Sequence, residues 1–239
     1  MSDLRNGFLI VASNDPGYVI GANFLAASIK DYYPDSHVTM FVTPDLRNRV
    51  DDSVFDLIIS ENVPSHVRTK LYALSRTPYT ELTCYVDADM ECMHEDVQNI
   101  WNEIPADCDI LITKIRPYNG KEDRWPGGTA IPKGRMIYHG GFFLYRSNEH
   151  TKNFMERWWQ DYVQQRANPW PYPEEEIAKS FAQWDQFTFW KLLSVDGLPV
   201  NVQVFEDDAR WNFVNGYRLD ENRGPIVFYH HTLPHRVGK

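Results

Sequence analysis

Three cysteines in 239 residues are too few and too irregularly placed to staple a fold. Cys84, Cys92 and Cys108 form an odd-numbered set without metal-ligand spacing, so they read as reduced core thiols, not as a disulfide framework or a zinc site. Also missing is any apolar run near the ~20 residues that a membrane span needs. The opening "MSDLRNGFLIVASND" lacks a basic segment followed by a long apolar core, so it does not match a signal peptide, and a cytoplasmic protein is the expectation. Positive charge is scarce: 24 Lys and Arg against 33 Asp and Glu leave a formal net charge of −9. That balance argues against nonspecific binding to nucleic acid or anionic membrane. No internal repeat, low-complexity tract or linker divides the chain, so one domain spanning 1–239 is expected.

What is present suits a globular α/β protein. "GFLIVASND" is a short apolar run ending in turn-formers, as a buried parallel strand would be. "PGYVIGANFLAASIKDYYP" follows with Ile20, Phe24, Ala27 and Ile29 at helical spacing and a proline beyond its end. "HVTMFVTP" and "FDLIIS" read as strands. "PSHVRTKLYALSRTP" reads as a helix opened by Ser65, with Val67, Leu71 and Leu74 on one face. It leads into the strand "LTCYV". This alternation predicts a mainly parallel sheet covered by helices on both faces. Later come the strand "DILITK" and the strand "HGGFFLYR" after a glycine pair. "SNEHTKNFMERWWQDYVQQ" and "EEEIAKSFAQWDQFTFWKLL" read as helices, the second with a break near Gln183, and "VNVQVFE" and "PIVFYHH" as short late strands. Trp158 and Trp159 sit in an amphipathic helix and are expected to pack in the core.

Between the two halves lies a long Gly/Pro-rich loop. Lys114, Arg116, Lys121, Arg124, Lys133 and Arg135 there face only Glu122 and Asp123. Long loops in compact domains are commonly lids or binding segments, although a cluster of charges is also what a solvated loop shows.

The strand "LTCYV" ends in Asp87 and Asp89. Two carboxylates so close raise each other's pKa unless something positive sits between them. In open parallel sheets ligands bind at the carboxyl ends of strands. Ser13, Asn14 and Asp15 lie at another such end. Paired carboxylates there suit a hard divalent cation, Mn²⁺ or Mg²⁺, with positions left open for phosphate.

The block "VRTKLYALSRTPYTELTCYVDADMEC" resembles the core signature of nucleotide-diphospho-sugar glycosyltransferases with the GT-A fold. There a lysine-bearing helix feeds a strand that ends in the Asp-x-Asp, or DXD, metal motif. Three more stretches follow in that superfamily's order. "HGGFFLYR" resembles its N-x-G-x-x-L segment, with His139 in place of asparagine. "WDQFTFWKLL" resembles its Asp-Gln helix start, and "IVFYHHTLPHRVGK" the C-terminal histidine segment of glycogenin-like retaining members. The final spacing departs from the usual H-x-x-G-x-x-K-P-W.

The resemblance implies a single GT-A domain, Rossmann-like with a smaller mixed C-terminal portion. Residues 1–112 would bind nucleotide sugar, and residues 113–239 would supply acceptor and catalytic groups. It implies a metal-dependent, hexosyl-type transferase using a nucleoside-diphosphate sugar, with retention. Asp87 and Asp89 would bind the cation, joined by one of His230 and His231, with His230 favoured because adjacent strand residues face opposite ways. Lys70 would stabilise the diphosphate, and Ser13, Asn14, Asp15 and Tyr18 would contact the nucleoside. Asn14 and Asp15 are also good turn and capping residues. Gly140 and Gly141 would let backbone approach the sugar, and Asp185 and Gln186 would lie by the anomeric carbon, with Asp185 the candidate nucleophile. Arg236 and Lys239 would close over the diphosphate. The acceptor, a glycan, protein, lipid or nucleic acid, is open, as is the oligomeric state. Two other functions compete: a sugar-nucleotide nucleotidyltransferase and a noncatalytic nucleotide-sugar module. Against the first, the loop "ASNDPGYVIGAN" has no basic residue; against the second, the acidic pair and Lys70 are intact.

Overall fold

The structure is a computed structural model and describes residues 4–114, 138–168, 184–214 and 224–231. The first part runs β1 (Asn6–Ala12), α1 (Pro16–Tyr32), β2 (Val38–Val42), β3 (Leu57–Ile59), α2 (Thr69–Leu74) and β4 (Leu82–Val86). Next come β5 (Met90–Cys92), β6 (Ile110–Lys114), β7 (Tyr138–Arg146), α3 (Glu149–Ala167) and α4 (Asp185–Ser194). The chain continues through β8 (Val202–Val204), α5 (Asp208–Trp211), β9 (Phe213–Val214) and β10 (Phe228–His230). Seven strands form one sheet in the order β3-β2-β1-β4-β7-β6-β8. All point the same way except β7, which pairs antiparallel with both β4 and β6. A smaller sheet has the order β5-β10-β9.

Strand alternation builds a core on each face. Phe8, Ile10 and Ala12 of β1 join Ala22, Ala26, Met40, Cys84 and Phe142 in one cluster. Leu9 and Val11 join Leu71, Tyr85, Ile112, Phe143 and Trp158 in the other. Each large side chain so buried contributes roughly 1.5–3 kcal/mol. The three cysteines are free and buried. Trp158 is 1% exposed and lies in the core, as expected.

Two helices differ from their sequence reading. Asp15 caps α1 by accepting from the Gly17 N–H at 2.8 Å. The face that then meets the sheet carries Val19, Ala22, Leu25, Ala26 and Ile29, while Ile20 and Phe24 are 64% and 37% exposed. Only Ile29 of the expected stripe is buried; the small Ala22 and Ala26 allow the close approach that Phe24 would block. α2 begins at Thr69, not after Ser65, and Val67 is 46% exposed. Local bonds hold 64–68 out of the helix: the Thr69 hydroxyl contacts the Pro64 and His66 carbonyls, and Ser65 donates to Asn14 Oδ1 at 3.0 Å. The glycine pair lies within β7, not ahead of it. The charged stretch beyond Lys114 and the expected break near Gln183 lie outside the described residues.

Candidate functional site

The two sheets meet at the acidic pair. β4 ends at Val86, and a tight turn closed by the Met90 N–H on the Asp87 carbonyl, at 3.1 Å, starts β5. Asp87 and Asp89 therefore sit in the joint between the sheets. β10 runs antiparallel to β5 with His230 opposite Met90, which brings a histidine from the far end of the chain beside them. Asp87, Asp89 and His230 each offer one ligand atom, all within 4.8 Å of one another. His230 Nε2 is 3.1 Å from Asp89 Oδ1. His231 turns away: its Nε2 is 2.9 Å from Glu91 Oε2, and it is not part of that group.

The electrostatics explain how such a pair survives inside a fold. Burial pushes the Asp87 carboxyl up, and the Asp89 charge adds to it, so it stays above the usual carboxylate range despite Lys70. Burial also opposes ionisation of Asp89, but the neighbouring His230 outweighs it and holds that carboxyl low. Burial lowers the His230 pKa, and Asp89 more than reverses this, so the imidazole is raised above its ordinary value. When protonated, His230 would relieve part of the like-charge strain in the metal-free protein. Tyr85 donates its hydroxyl to Asp87 Oδ1.

Opposite the pair stands a second charged group. Asp185 begins α4 and is 1% exposed. Its Oδ1 accepts from Arg68 Nε at 3.0 Å and its Oδ2 is 3.2 Å from Lys70 Nζ. Burial alone would raise this carboxyl, but Lys70 and Arg68 hold it below the usual range, so it is ionised. Trp158 Nε1–H donates to the Asp185 carbonyl at 2.9 Å and fixes the helix start. Lys70 Nζ also donates to the Gly140 carbonyl at 2.8 Å and lies 3.4 Å from Asp87 Oδ1. Gln186 is 8% exposed, and among the described residues its Oε1 has no hydrogen-bond partner. An unpaired buried amide oxygen costs about 1–3 kcal/mol, a penalty that a ligand donor would remove.

The glycines make this closeness possible. A Cβ at Gly141 would lie 2.8 Å from His139 Cε1 and 2.9 Å from Asp87 Oδ2. A Cβ at Gly140 would lie 3.3 Å from Asp185 Oδ2. His139 is held neutral: burial, then His230 and Lys70, push its pKa down to about 3.

The loop after β1 borders the same end of the sheet. The Ser13 hydroxyl donates to the His66 carbonyl at 3.0 Å, and Asn14 takes a left-handed φ of 65°. Asp15 is engaged as the cap of α1. Tyr18 is 37% exposed; burial raises its phenol, and Asp89 and Asp87 raise it further, which places it within reach of the acidic pair's field. Arg236 and Lys239 lie outside the described residues. Sequence reasoning missed Arg68, Tyr85 and Asn212 as parts of this site. Arg68 was within sight, two residues before Lys70 in the quoted block; Asn212 carried no local signal.

The donor set fits a divalent cation. Two carboxylate oxygens and an imidazole nitrogen converge, and Asp87 is strained upward in a way that a cation would relieve. The architecture is that of the GT-A glycosyltransferase fold. No protein-family model matches the chain, and no curated protein matches it. Solved structures do share its fold. One is galactosyltransferase LgtC in complex with donor and acceptor sugar analogues, with a TM-score of 0.53 at 14% identity over 94% of this chain and 86% of that one. Another is glycosyltransferase GlyE of Streptococcus pneumoniae, with a TM-score of 0.58 at 12% identity over 95% of this chain and 55% of that one. A third is a glycosyltransferase involved in glycosylation of the major capsid of PBCV-1, with a TM-score of 0.51 at 10% identity over 95% of this chain and 92% of that one.

Proposed function

We propose that this protein is a metal-dependent glycosyltransferase that moves a hexosyl group from a nucleoside-diphosphate sugar to an acceptor, with retention. One observation carries the reading. Asp87, Asp89 and His230 converge at the joint of the two sheets, and Asp185 and Gln186 face them across Gly140. The fold shared with LgtC, GlyE and the PBCV-1 enzyme supports it. LgtC has also been solved with an active-site glutamine replaced by glutamate, and Gln186 is the glutamine of this chain that sits in the site with an unpaired oxygen.

Asp87, Asp89 and His230 would hold Mn²⁺ or Mg²⁺. Bound there, the cation supplies Lewis-acid neutralisation of charge on the leaving diphosphate. The chain's own residues do the rest. Lys70, already inside the site, helps to hold Asp185 ionised, offsets part of the upward push of burial on Asp87, and adds positive charge where the diphosphate departs. Ser13, Asn14 and Tyr18 would border the nucleoside. Gly140 leaves room for the sugar above Asp185, and Gln186 would offer its amide to a sugar hydroxyl. Asp185, ionised and clamped by Arg68, is the candidate to face the anomeric carbon, either as a nucleophile or as an electrostatic stabiliser of one-faced departure and attack. Arg236 and Lys239 would close over the diphosphate. The acceptor, whether glycan, protein, lipid or nucleic acid, would enter beside the basic stretch 114–135.

The test is a screen of nucleotide sugars with Mn²⁺, read as donor hydrolysis and thermal stabilisation. One donor class is expected to do both, and Asp89→Ala is expected to remove the metal dependence. Equal turnover without metal, or in the Asp87→Ala/Asp89→Ala double variant, would overturn the reading.

A further inference from the structure

Asn212 is buried at the end of α5, 1% exposed, with every polar atom of its side chain engaged. Its Nδ2 is 3.0 Å from Thr113 Oγ1 and 3.0 Å from His139 Nδ1; its Oδ1 is 2.9 Å from His230 Nδ1. Which way such an amide points, and where the two histidines carry their protons, follows here from one group that has no choice.

The Gly141 backbone N–H is a fixed donor, and it lies 3.1 Å from His139 Nδ1. That nitrogen must accept, so His139 carries its proton on Nε2. Asn212 must then turn its NH₂ toward His139. Thr113 accommodates the same orientation: its hydroxyl has the Phe142 carbonyl as an acceptor at 3.2 Å, which leaves its oxygen to accept from Asn212. With the amide so fixed, Oδ1 faces His230, and the only partner it can take from Nδ1 is a proton. His230 Nε2 faces Asp89 and is the nitrogen that carries the second proton of the charged ring; once that proton leaves, Nε2 has the lone pair that a cation requires.

Resting on the metal site of the proposed function, we propose that Asn212 is a positioning residue that fixes the Nδ1–H tautomer of His230 and so presents Nε2 as a ligand. The order is relayed from the Gly141 backbone through His139 and Asn212. A histidine ligand gains basicity and orientation from such an outer partner, and losing it typically costs 10–100-fold in metal affinity. The relay also gives His139 and Thr113 a purpose that neither has as a ligand. The His139 and His230 rings meet edge to face, with centroids 5.4 Å apart at 88°, so the two imidazoles pack directly against each other.

The primary measurement needs no variant. In ¹⁵N-labelled, metal-free protein at a pH where His230 is neutral, long-range ¹H–¹⁵N correlation is expected to find its proton on Nδ1 and that of His139 on Nε2. A neutral His230 protonated on Nε2, or a tautomer mixture, overturns the proposal. Two substitutions then test the consequence by calorimetric Mn²⁺ binding. Asn212→Leu removes the acceptor and is expected to weaken Mn²⁺ about 10–100-fold. Asn212→Asp keeps the acceptor and is expected to bind Mn²⁺ within a few-fold of the parent. A role in packing alone would reverse that ranking, because leucine suits a buried site better than a carboxylate does, and the reversed ranking also overturns the proposal. The two readings fail separately. If the parent binds no Mn²⁺, the metal site is lost while the tautomer measurement still decides the relay. If Mn²⁺ binds and the tautomer is wrong, only the relay falls.

Discussion

Lys70 Nζ lies 3.2 Å from Asp185 Oδ2 and 3.4 Å from Asp87 Oδ1, so one ammonium, 12% exposed, serves carboxylates on opposite sides of the site. Its charge holds the carboxyl at the start of α4 below the usual range and offsets part of the rise that burial imposes on the one at the end of β4.

Replacing it tests that role directly. Lys70→Met keeps the length of the side chain and leaves Asp185 with Arg68 alone, and losing one of two buried charged partners should cost about 1.5–3 kcal/mol at neutral pH. In the parent, the lowered folded pKa of Asp185 contributes stability above the unfolded carboxylate pKa and loses it as pH falls through the lower folded value. In the variant that contribution shrinks, so the gap between the two proteins narrows on acidification. Urea unfolding at neutral pH and near pH 4 checks this. A gap that widens toward acid would show that Lys70 is not the charge holding Asp185 ionised.

The glycine pair offers a graded steric test. Gly141→Ala puts a methyl group against both His139 and Asp87, under 3 Å from each, and overpacking of this kind costs about 1–3 kcal/mol. The shift should fall on Asp87, so Mn²⁺ affinity should drop more than Tm suggests. Gly140→Ala meets Asp185 Oδ2 at 3.3 Å and should leave Mn²⁺ binding close to the parent while weakening any sugar nucleotide. Calorimetry on both variants separates the effects; equal losses of metal in the two would contradict the geometry.

How far the sequence foretold this site depends on how local each part is. Asp87 and Asp89 could be placed because an apolar strand ends at them, and the turn that follows keeps them together. The burial of α1 could not be placed: apolar residues populate two neighbouring stripes, and only docking on the sheet selects Val19, Ala22 and Ala26 over Ile20 and Phe24. The start of α2 shifted because the side chains of Ser65 and Thr69, good helix openers, are spent on Asn14 and on the Pro64 and His66 carbonyls. Asn212 reaches the site from a four-residue helix that packs against β6 and β10, and no spacing in the chain announces it.

Removing Asp89 has a consequence that repulsion alone would not foretell. Sequence reasoning treats Asp87 and Asp89 as a repelling pair, so an alanine at 89 should relieve strain. The structure pairs Asp89 with His230, and Asp89→Ala withdraws the charge that raises that imidazole's pKa. A raised histidine pKa contributes stability below the unfolded value and loses it as pH rises through the folded value. Metal-free Asp89→Ala should therefore lose stability against the parent chiefly at mildly acidic pH and approach it toward alkaline pH. Thermal unfolding of both proteins in chelator, from pH 5.5 to 8.5, reads this out. A stability difference that does not change with pH would mean that the pair is not ionic.

The adjacent histidines separate a ligand from a neighbour. His230 is 5% exposed, carries Nε2 toward Asp89 and has Nδ1 occupied by Asn212. His231 begins past the end of β10, donates its backbone N–H to the Asp89 carbonyl at 2.9 Å and spends its ring on Glu91. Consecutive side chains on an extended chain face opposite ways, so no small rotation brings both rings to one cation. His230→Ala should then weaken Mn²⁺ by at least the 10–100-fold typical of disturbing a ligand's support. His231→Ala should leave Mn²⁺ affinity nearly unchanged, since its backbone bond to Asp89 survives the substitution. Its cost should appear in stability instead, at well under 1 kcal/mol for a partly exposed pair with Glu91. Mn²⁺ titrations followed by electron paramagnetic resonance decide between them. A larger loss in His231→Ala would mean that the ring leaves Glu91 when the cation binds and that the register of β10 against β5 shifts with it.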